Sequence, residues 1–211
     1  MELYFSPLAC SMATRIALYE ANADATYVEV DPFTHATMDG VPLANITPLA
    51  LVPAIRTDDG DTLVENAAVL QYVADQHPSA QLAPTDARGR LRLQQWLCFV
   101  GTELHKLVFT PLLDEKSPDG AKSYAMGKVK TRFDLLEKHL AGREFLLDRF
   151  TVADAYLATV LNWTVATPID LKQWPAVAAY HARMRQRPSV MKALSIELPL
   201  YQAEQARHVS A

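Results

Sequence analysis

Three places in this chain carry residues whose types and spacing suit chemistry: a cysteine at position 10, a proline-flanked hairpin at 51–66, and a histidine–lysine pair at 105–106. Cys10 follows a short apolar strand, Glu2–Phe5, and a Ser6-Pro7-Leu8-Ala9 loop, and it opens a helix from about Ser11 to Ala23. A thiolate at such a junction is stabilised by the helix N-terminus, which lowers the thiol pKa below its ordinary value of about 8.5. Ser11 and Tyr4 are candidate hydroxyl donors beside it. Cys98, inside Trp96-Leu97-Cys98-Phe99-Val100, reads instead as a small packing residue. On the helix Arg88–Phe109, His105 shares a strip with Cys98, Thr102 and Phe109, offset from the most apolar face. It can line a cleft or stand solvated on the helix surface.

In the hairpin, the apolar runs flank Asp58-Asp59-Gly60-Asp61, and Asp-Gly tolerates the positive φ of a tight turn. Pro53 cannot donate a ladder hydrogen bond, so it belongs at an edge, a strand start or a special bend. A cis Val52-Pro53 bond is one such bend, and it turns the Val52 backbone outward where an extended peptide can pair with it. The hairpin ends at Glu65-Asn66, and Ala67, Leu70, Val73 and Ala74 then recur at helical spacing. Asn66 reads as an N-cap. The N–H groups there suit a carboxylate and Glu65 an ammonium, so the two ends of an amino acid fit.

The elements that must position these groups fall into two sets. Glu2–Phe5, the first helix and a strand at Tyr27–Val30 make βαβ; the hairpin and the helix after it make ββα. Pro78 and Pro84 mark a linker. The rest is helical: Val129, Phe133, Leu136 and Leu140 mark one helix, and Thr151-Val152-Ala153-Asp154 is a capping-box variant opening another. Pro175 sits at the first turn of a third, which Arg187-Pro188 stops, leaving a short helix and a loose tail over 189–211. The expected division is a small α/β domain at 1–77, a linker at 78–87 and an all-α domain at 88–211.

The formal charge of −4 over 211 residues argues against a nucleic-acid surface, and no apolar run is long enough to span a bilayer. The first residues lack the basic and apolar regions of a signal peptide. Two cysteines fit a reducing compartment and suggest neither a disulfide framework nor a zinc site. The expectation is a cytoplasmic protein that binds no metal, nucleic acid or membrane.

Taken together, the whole chain resembles the cytosolic glutathione transferases, and the bacterial beta class most. The residues that carry this are Leu3-Tyr4-Phe5-Ser6-Pro7 leading to Cys10-Ser11, Val52-Pro53, Glu65-Asn66, Glu103-Leu104-His105-Lys106, Phe150-Thr151-Val152-Ala153-Asp154-Ala155-Tyr156, and Trp163. The resemblance implies a thioredoxin-like N-terminal domain that holds glutathione as co-substrate, a helical C-terminal domain covering the second substrate, and a homodimer. It implies that Val52 pairs with the cysteinyl backbone of glutathione, that Glu65 and Asn66 take the γ-glutamyl group, and that Cys10 lies next to the glutathione sulfur. His105 and Lys106 match glutathione-side residues of the helical domain, and Phe109, Leu112 and Trp163 match its second-substrate faces. Leu51 and His35 complete the implied glutathione set, His35 in a region where a cationic residue is often found. The family pattern Asn-Pro-x-Gly-x-Val-Pro is here Thr47-Pro48-Leu49-Ala50-Leu51-Val52-Pro53, without its usual glycine or cation.

The implied function is transferase chemistry: a glutathione thiolate attacks an electrophile, or Cys10 assists thiol–disulfide exchange with a mixed disulfide. Cys10-Ser11-Met12-Ala13 lacks a second cysteine, so any redox cycle is monothiol. The alternatives are a transferase-fold binding or regulatory protein with weak or no glutathione chemistry, and a dedicated dehalogenase or isomerase on the same scaffold.

Overall fold

Successive side chains of a strand take opposite faces, and Leu3, Tyr4 and Phe5 are all buried. Strand β1 (Glu2–Phe5) must therefore be central and covered on both sides. In the structure, a computed structural model that describes residues 1–209, β2 (Thr26–Asp31) lies parallel to it on one side and β4 (Ala54–Arg56) antiparallel on the other. Short edges complete the sheet, β3 (Ala36–Thr37) beside β2 and β5 (Thr62–Val64) beside β4, in the order β3-β2-β1-β4-β5. The β3 edge was not expected. Thr37 pairs with Val30, drawing the segment after β2 back onto the sheet. Gly60 takes φ +94° in the β4–β5 turn, a conformation that favours glycine.

Tyr4, Val30, Leu43 and Ala54 form the core on one face of this sheet. Phe5 faces the other way, against Arg15 of α1 (Met12–Glu20). Helix α2 (Asn66–Gln76) packs beside α1.

The helical unit opens with α3 (Ala87–Cys98), capped by the Asp86 carboxylate, which accepts from the Gly89 N–H at 2.9 Å. The helix does not stop at Cys98. It widens into a π-helical stretch, Phe99–Phe109, and tightens again as α4 (Thr110–Leu113). The expected apolar positions Leu93, Leu97, Val100, Leu104 and Val108 are all fully buried. Helix α5 (Asp119–Leu140) follows, then α6 (Val152–Asn162), where both arms of the Thr151/Asp154 capping box are formed. Helix α7 (Pro175–Arg185) starts on its proline, and the Glu137 carboxylate of α5 accepts from the Ala176 and Val177 N–H groups.

The stretch from Pro188 departs from expectation. It is one helix, α8 (Pro188–Val209), running through Pro199, although a proline inside a helix removes one hydrogen bond and crowds the preceding turn. Side-chain anchors on one face hold it. Val190, Ala193, Glu197 and Glu204 are buried, and the His208 imidazole meets Asp31 Oδ2 at 2.8 Å. Glu197 Oε1 accepts from Arg15 Nε at 2.6 Å, and its Oε2 accepts from the Leu8 N–H at 2.8 Å. Contacts accordingly group the chain into Met1–Leu82 with the stretch from Pro188, and Ala83–Arg187, whereas the sequence reading counted that last stretch with the helices.

Arg15 has further partners: its guanidinium lies 4.2 Å from the Phe5 ring centroid and 4.0 Å from that of Tyr27, and Nη1 donates to the Tyr19 hydroxyl, while Nη2 is buried without a hydrogen bond among the described residues. Removing one partner of a buried ion pair strands the other charge, at a cost of about 3–5 kcal/mol, whereas replacing both by apolar groups is far milder. Glu197→Ala should therefore lose about that much stability in urea unfolding, and Arg15→Met with Glu197→Leu much less. A single variant as stable as the parent would show that the pair does not anchor α8.

Candidate functional site

The loop before α1 is built to present Cys10. Ser6–Ala9 turns back on itself through Ala9 N–H to Ser6 C=O, with Leu8 at φ +58°. The Ser11 hydroxyl, fully buried, donates to Ser6 C=O at 3.2 Å and accepts from Ser6 N–H at 3.3 Å. Ser11 thus closes the loop that carries the cysteine. The Tyr4 hydroxyl is engaged elsewhere: it donates to Glu2 at 3.2 Å, and burial and the Glu2 carboxylate raise its pKa above the ordinary phenol value. Neither hydroxyl is placed as the thiol donor that their positions in the sequence suggested.

Three of the expected groups converge. Cys10 Sγ donates to the Val52 C=O at 3.4 Å, just before the cis Val52-Pro53 bond. The Asn66 amide donates to the Cys10 C=O at 3.2 Å, while its oxygen accepts from the Thr14 hydroxyl at 3.3 Å. Asn66 is therefore the first residue of α2 and not its N-cap; Glu65 holds that place, at φ +66°. The reason is chemical. A primary amide both donates and accepts, so Asn66 joins the Cys10 carbonyl to the Thr14 hydroxyl of α1. The N–H groups of Asn66 and Ala67 lack intrahelical acceptors, as at every helix start, and among the described residues no hydrogen bond or ion pair is made by the exposed Glu65 carboxylate. The left-handed backbone at Glu65 is uncommon and costly for a side-chain-bearing residue.

Leu51 and His35 are exposed, His35 at φ +53°. Ala50, where the family pattern has glycine, is also left-handed at φ +49°.

In the helical unit the expected residues form an aromatic cluster. His105 stands on the π-helical stretch with its ring centroid 5.0 Å from that of Trp163, which in turn lies 5.7 Å from Phe109. His105 Nδ1 is 2.7 Å from the Tyr156 hydroxyl of α6. Burial first, and Lys106 second, lower the His105 pKa to about 4, so the ring is neutral near pH 7. It is not a solvated surface histidine. Lys106 is exposed, Leu112 half-buried and Phe109 fully buried. A separate cleft of about 1010 Å³, walled by Arg88, Arg92, Trp96, Lys138 and His139, includes none of the expected residues. Among the described residues no group of three or more His, Cys, Asp or Glu side chains is placed to hold a metal ion, and no helix is long and apolar enough to cross a membrane.

The sequence reading missed Tyr156, Arg15 and Glu197. Tyr156 entered as the end of the Phe150–Tyr156 motif, with no role of its own. Arg15 had one available signal, a lone charged residue among the mainly apolar side chains of Met12–Leu18.

Comparison with known proteins agrees across the chain. Residues 2–81 match the family model of the glutathione S-transferase N-terminal domain, and residues 102–183 that of the C-terminal domain. The glutathione S-transferase GstA of Escherichia coli O157:H7 is 38% identical over 199 residues, covering 93% of this chain and 98% of that one. A solved sphingomonad glutathione S-transferase complexed with glutathione is 42% identical with a TM-score of 0.88, covering 93% and 98%. A bacterial beta class enzyme of Sphingomonas chungbukensis is 43% identical with a TM-score of 0.89 at the same coverage.

The low pKa of His105 has a stability consequence. An unfolded histidine takes its proton near pH 6.5, whereas folded His105 takes it near 4, so stability falls as the pH drops through that window, by about 3 kcal/mol at most. His181, also lowered to about 4 by burial, acts with the same sign; Asp154, raised to about 6 by burial, acts against it. Thermal unfolding of His105→Asn should therefore show a shallower decline between pH 6.5 and 4.5 than the parent. Equal slopes would mean that His105 is not held neutral.

Proposed function

This chain belongs to the glutathione S-transferase family and is a glutathione transferase-like enzyme, and we propose that its sheet-bearing unit holds glutathione with the thiol beside Cys10. In this reading the Val52 backbone pairs with the cysteinyl residue of glutathione, Glu65 takes the γ-glutamyl ammonium, and the free N–H groups at the start of α2 take the carboxylate. The observation that carries it is the convergence of Cys10 Sγ on Val52 C=O with Asn66 on Cys10 C=O. That convergence brings a thiol, the Val52 peptide and the start of α2 around one place, which suits the three chemistries of the tripeptide. In the helical unit, the half-buried Trp163 and Leu112 beside His105 are the surface for a second substrate; Phe109, expected with them, is fully buried and packs against Trp163 instead. The reading includes a cytoplasmic homodimer, by family resemblance.

Two reactions fit. In conjugation the glutathione thiolate attacks an electrophilic carbon, a carbon–sulfur bond forms, and the leaving group departs. In exchange the Cys10 thiolate attacks the glutathionyl sulfur of a mixed disulfide and releases the other thiol. A second glutathione thiolate then attacks the Cys10-bound sulfur, which restores Cys10 and releases glutathione disulfide. Cys10→Ala separates them: exchange should fall by orders of magnitude while conjugation persists. Exchange at the parental rate in that variant would remove Cys10 as nucleophile.

Affinity is set by a loop without charge. The exposed side chains of 49–51 are Leu49 and Leu51, so a glutathione carboxylate there lacks a cationic partner. A hydrogen bond to a charged group contributes roughly 1.5–3 kcal/mol, so its absence weakens binding by about tenfold to more than a hundredfold. Calorimetric titration of the reduced protein should show saturable binding of glutathione at millimolar concentration, weakened further by Glu65→Ala. No heat of binding in that range would favour the other reading, a transferase fold retained for binding or regulation.

A further inference from the structure

His105 is fixed through more than its place on the helix. Its backbone C=O accepts from both the N–H and the hydroxyl of Thr110, five residues on, which locks the π-helical turn beneath it. Its ring is set edge-on to Trp163 at 5.0 Å and meets Tyr156 edge-on at 6.0 Å. Tyr156 is 3% exposed, so its hydroxyl stays in the protein and cannot swing to solvent. The short contact, 2.7 Å from that hydroxyl to Nδ1, engages one of the two ring nitrogens and leaves Nε2 as the working one.

A neutral imidazole has one N–H, and the partner of one nitrogen decides which tautomer is present. A phenol is a far stronger acid than a neutral imidazole, so the hydroxyl is the donor and Nδ1 the acceptor. We propose that Tyr156 is a positioning residue that holds His105 in its Nε2–H tautomer, so that His105 acts on bound substrate as a hydrogen-bond donor and not as a general base. The inference rests on the reading above that the His105 cluster meets substrate. Burial of the ring keeps it neutral, as the tautomer argument requires. A donor at Nε2 suits a developing anion, such as the sulfur of a departing thiolate or the oxygen of an activated leaving group. An acceptor there would instead draw a proton from a thiol.

Two measurements separate this proposal from the reading beneath it. Long-range proton–nitrogen spectra of nitrogen-15 histidine-labelled protein at pH 7.5, with His105 assigned by His105→Gln, should show a bare Nδ1 and a protonated Nε2. Tyr156→Phe keeps the packing but removes the hydroxyl. The pattern should then shift towards a tautomer mixture, and kcat should fall about fivefold with KM for glutathione unchanged within twofold, the size expected for one buried hydrogen bond. Incorporating 3-fluorotyrosine at 156 restores a hydroxyl and should restore both pattern and rate. A protonated Nδ1 in the parent, or a pattern that Tyr156→Phe does not move, overturns the proposal. If the pattern moves as expected but neither Tyr156→Phe nor His105→Gln changes turnover, the tautomer assignment holds and the participation of His105 in the reaction is what fails.

Discussion

The sheet-bearing unit depends on one buried ion pair. Arg15 lies in the apolar side of the sheet between two aromatic rings, where an uncompensated guanidinium would be costly. Glu197 answers it from nearly two hundred residues along the chain, and the same carboxylate also binds the Leu8 N–H. Desolvation raises the Glu197 pKa to about 7, against the pull of Arg15 and that N–H, so the pair is held together by geometry more than by surplus Coulomb energy. Leu8 lies two residues before Cys10. The ion pair therefore fixes both the last helix and the loop that presents the thiol.

Around Cys10 the main chain is held by hydrogen bonds: Ser11 to the Ser6 peptide and Asn66 to the Cys10 carbonyl are neutral, and the Glu197 carboxylate accepts from the Leu8 N–H through its second oxygen. In the helical unit the logic repeats, with His105 kept neutral and steered through a phenol. The backbone that carries these groups departs from the ordinary helix, at Leu8, Glu65 and the π-helical stretch.

Local signals were legible because their causes are local. The strand Glu2–Phe5, the Asp-Gly hairpin, the Thr151/Asp154 box and the proline start of α7 each follow from a few neighbouring residues, and each is formed. That Cys10 comes near Val52-Pro53 and Asn66 was implied by the family resemblance, since no local signal relates residues so far apart in the chain. What escaped depends on distant partners. Pro199 reads as a breaker until Glu197 and His208 are seen to be anchored on one face, with Val190 and Ala193 buried beside them. Asn66 reads as a cap until Thr14 and the Cys10 carbonyl come within its reach, and Tyr156 reads as filler until His105 is opposite it. Propensity describes the segment, and the tertiary partner overrides it.

Grouping the stretch from Pro188 with residues 1–82 makes the sheet-bearing unit discontinuous in sequence, with the helices of 83–187 inserted into it. On the ribosome the inserted unit is complete before the unit that surrounds it. Until Glu197 emerges, Arg15 and the Leu8 amide both lack its carboxylate, so the segment made first is the one that must wait longest for these contacts. The order of synthesis and the order of completion thus run in opposite directions along this chain.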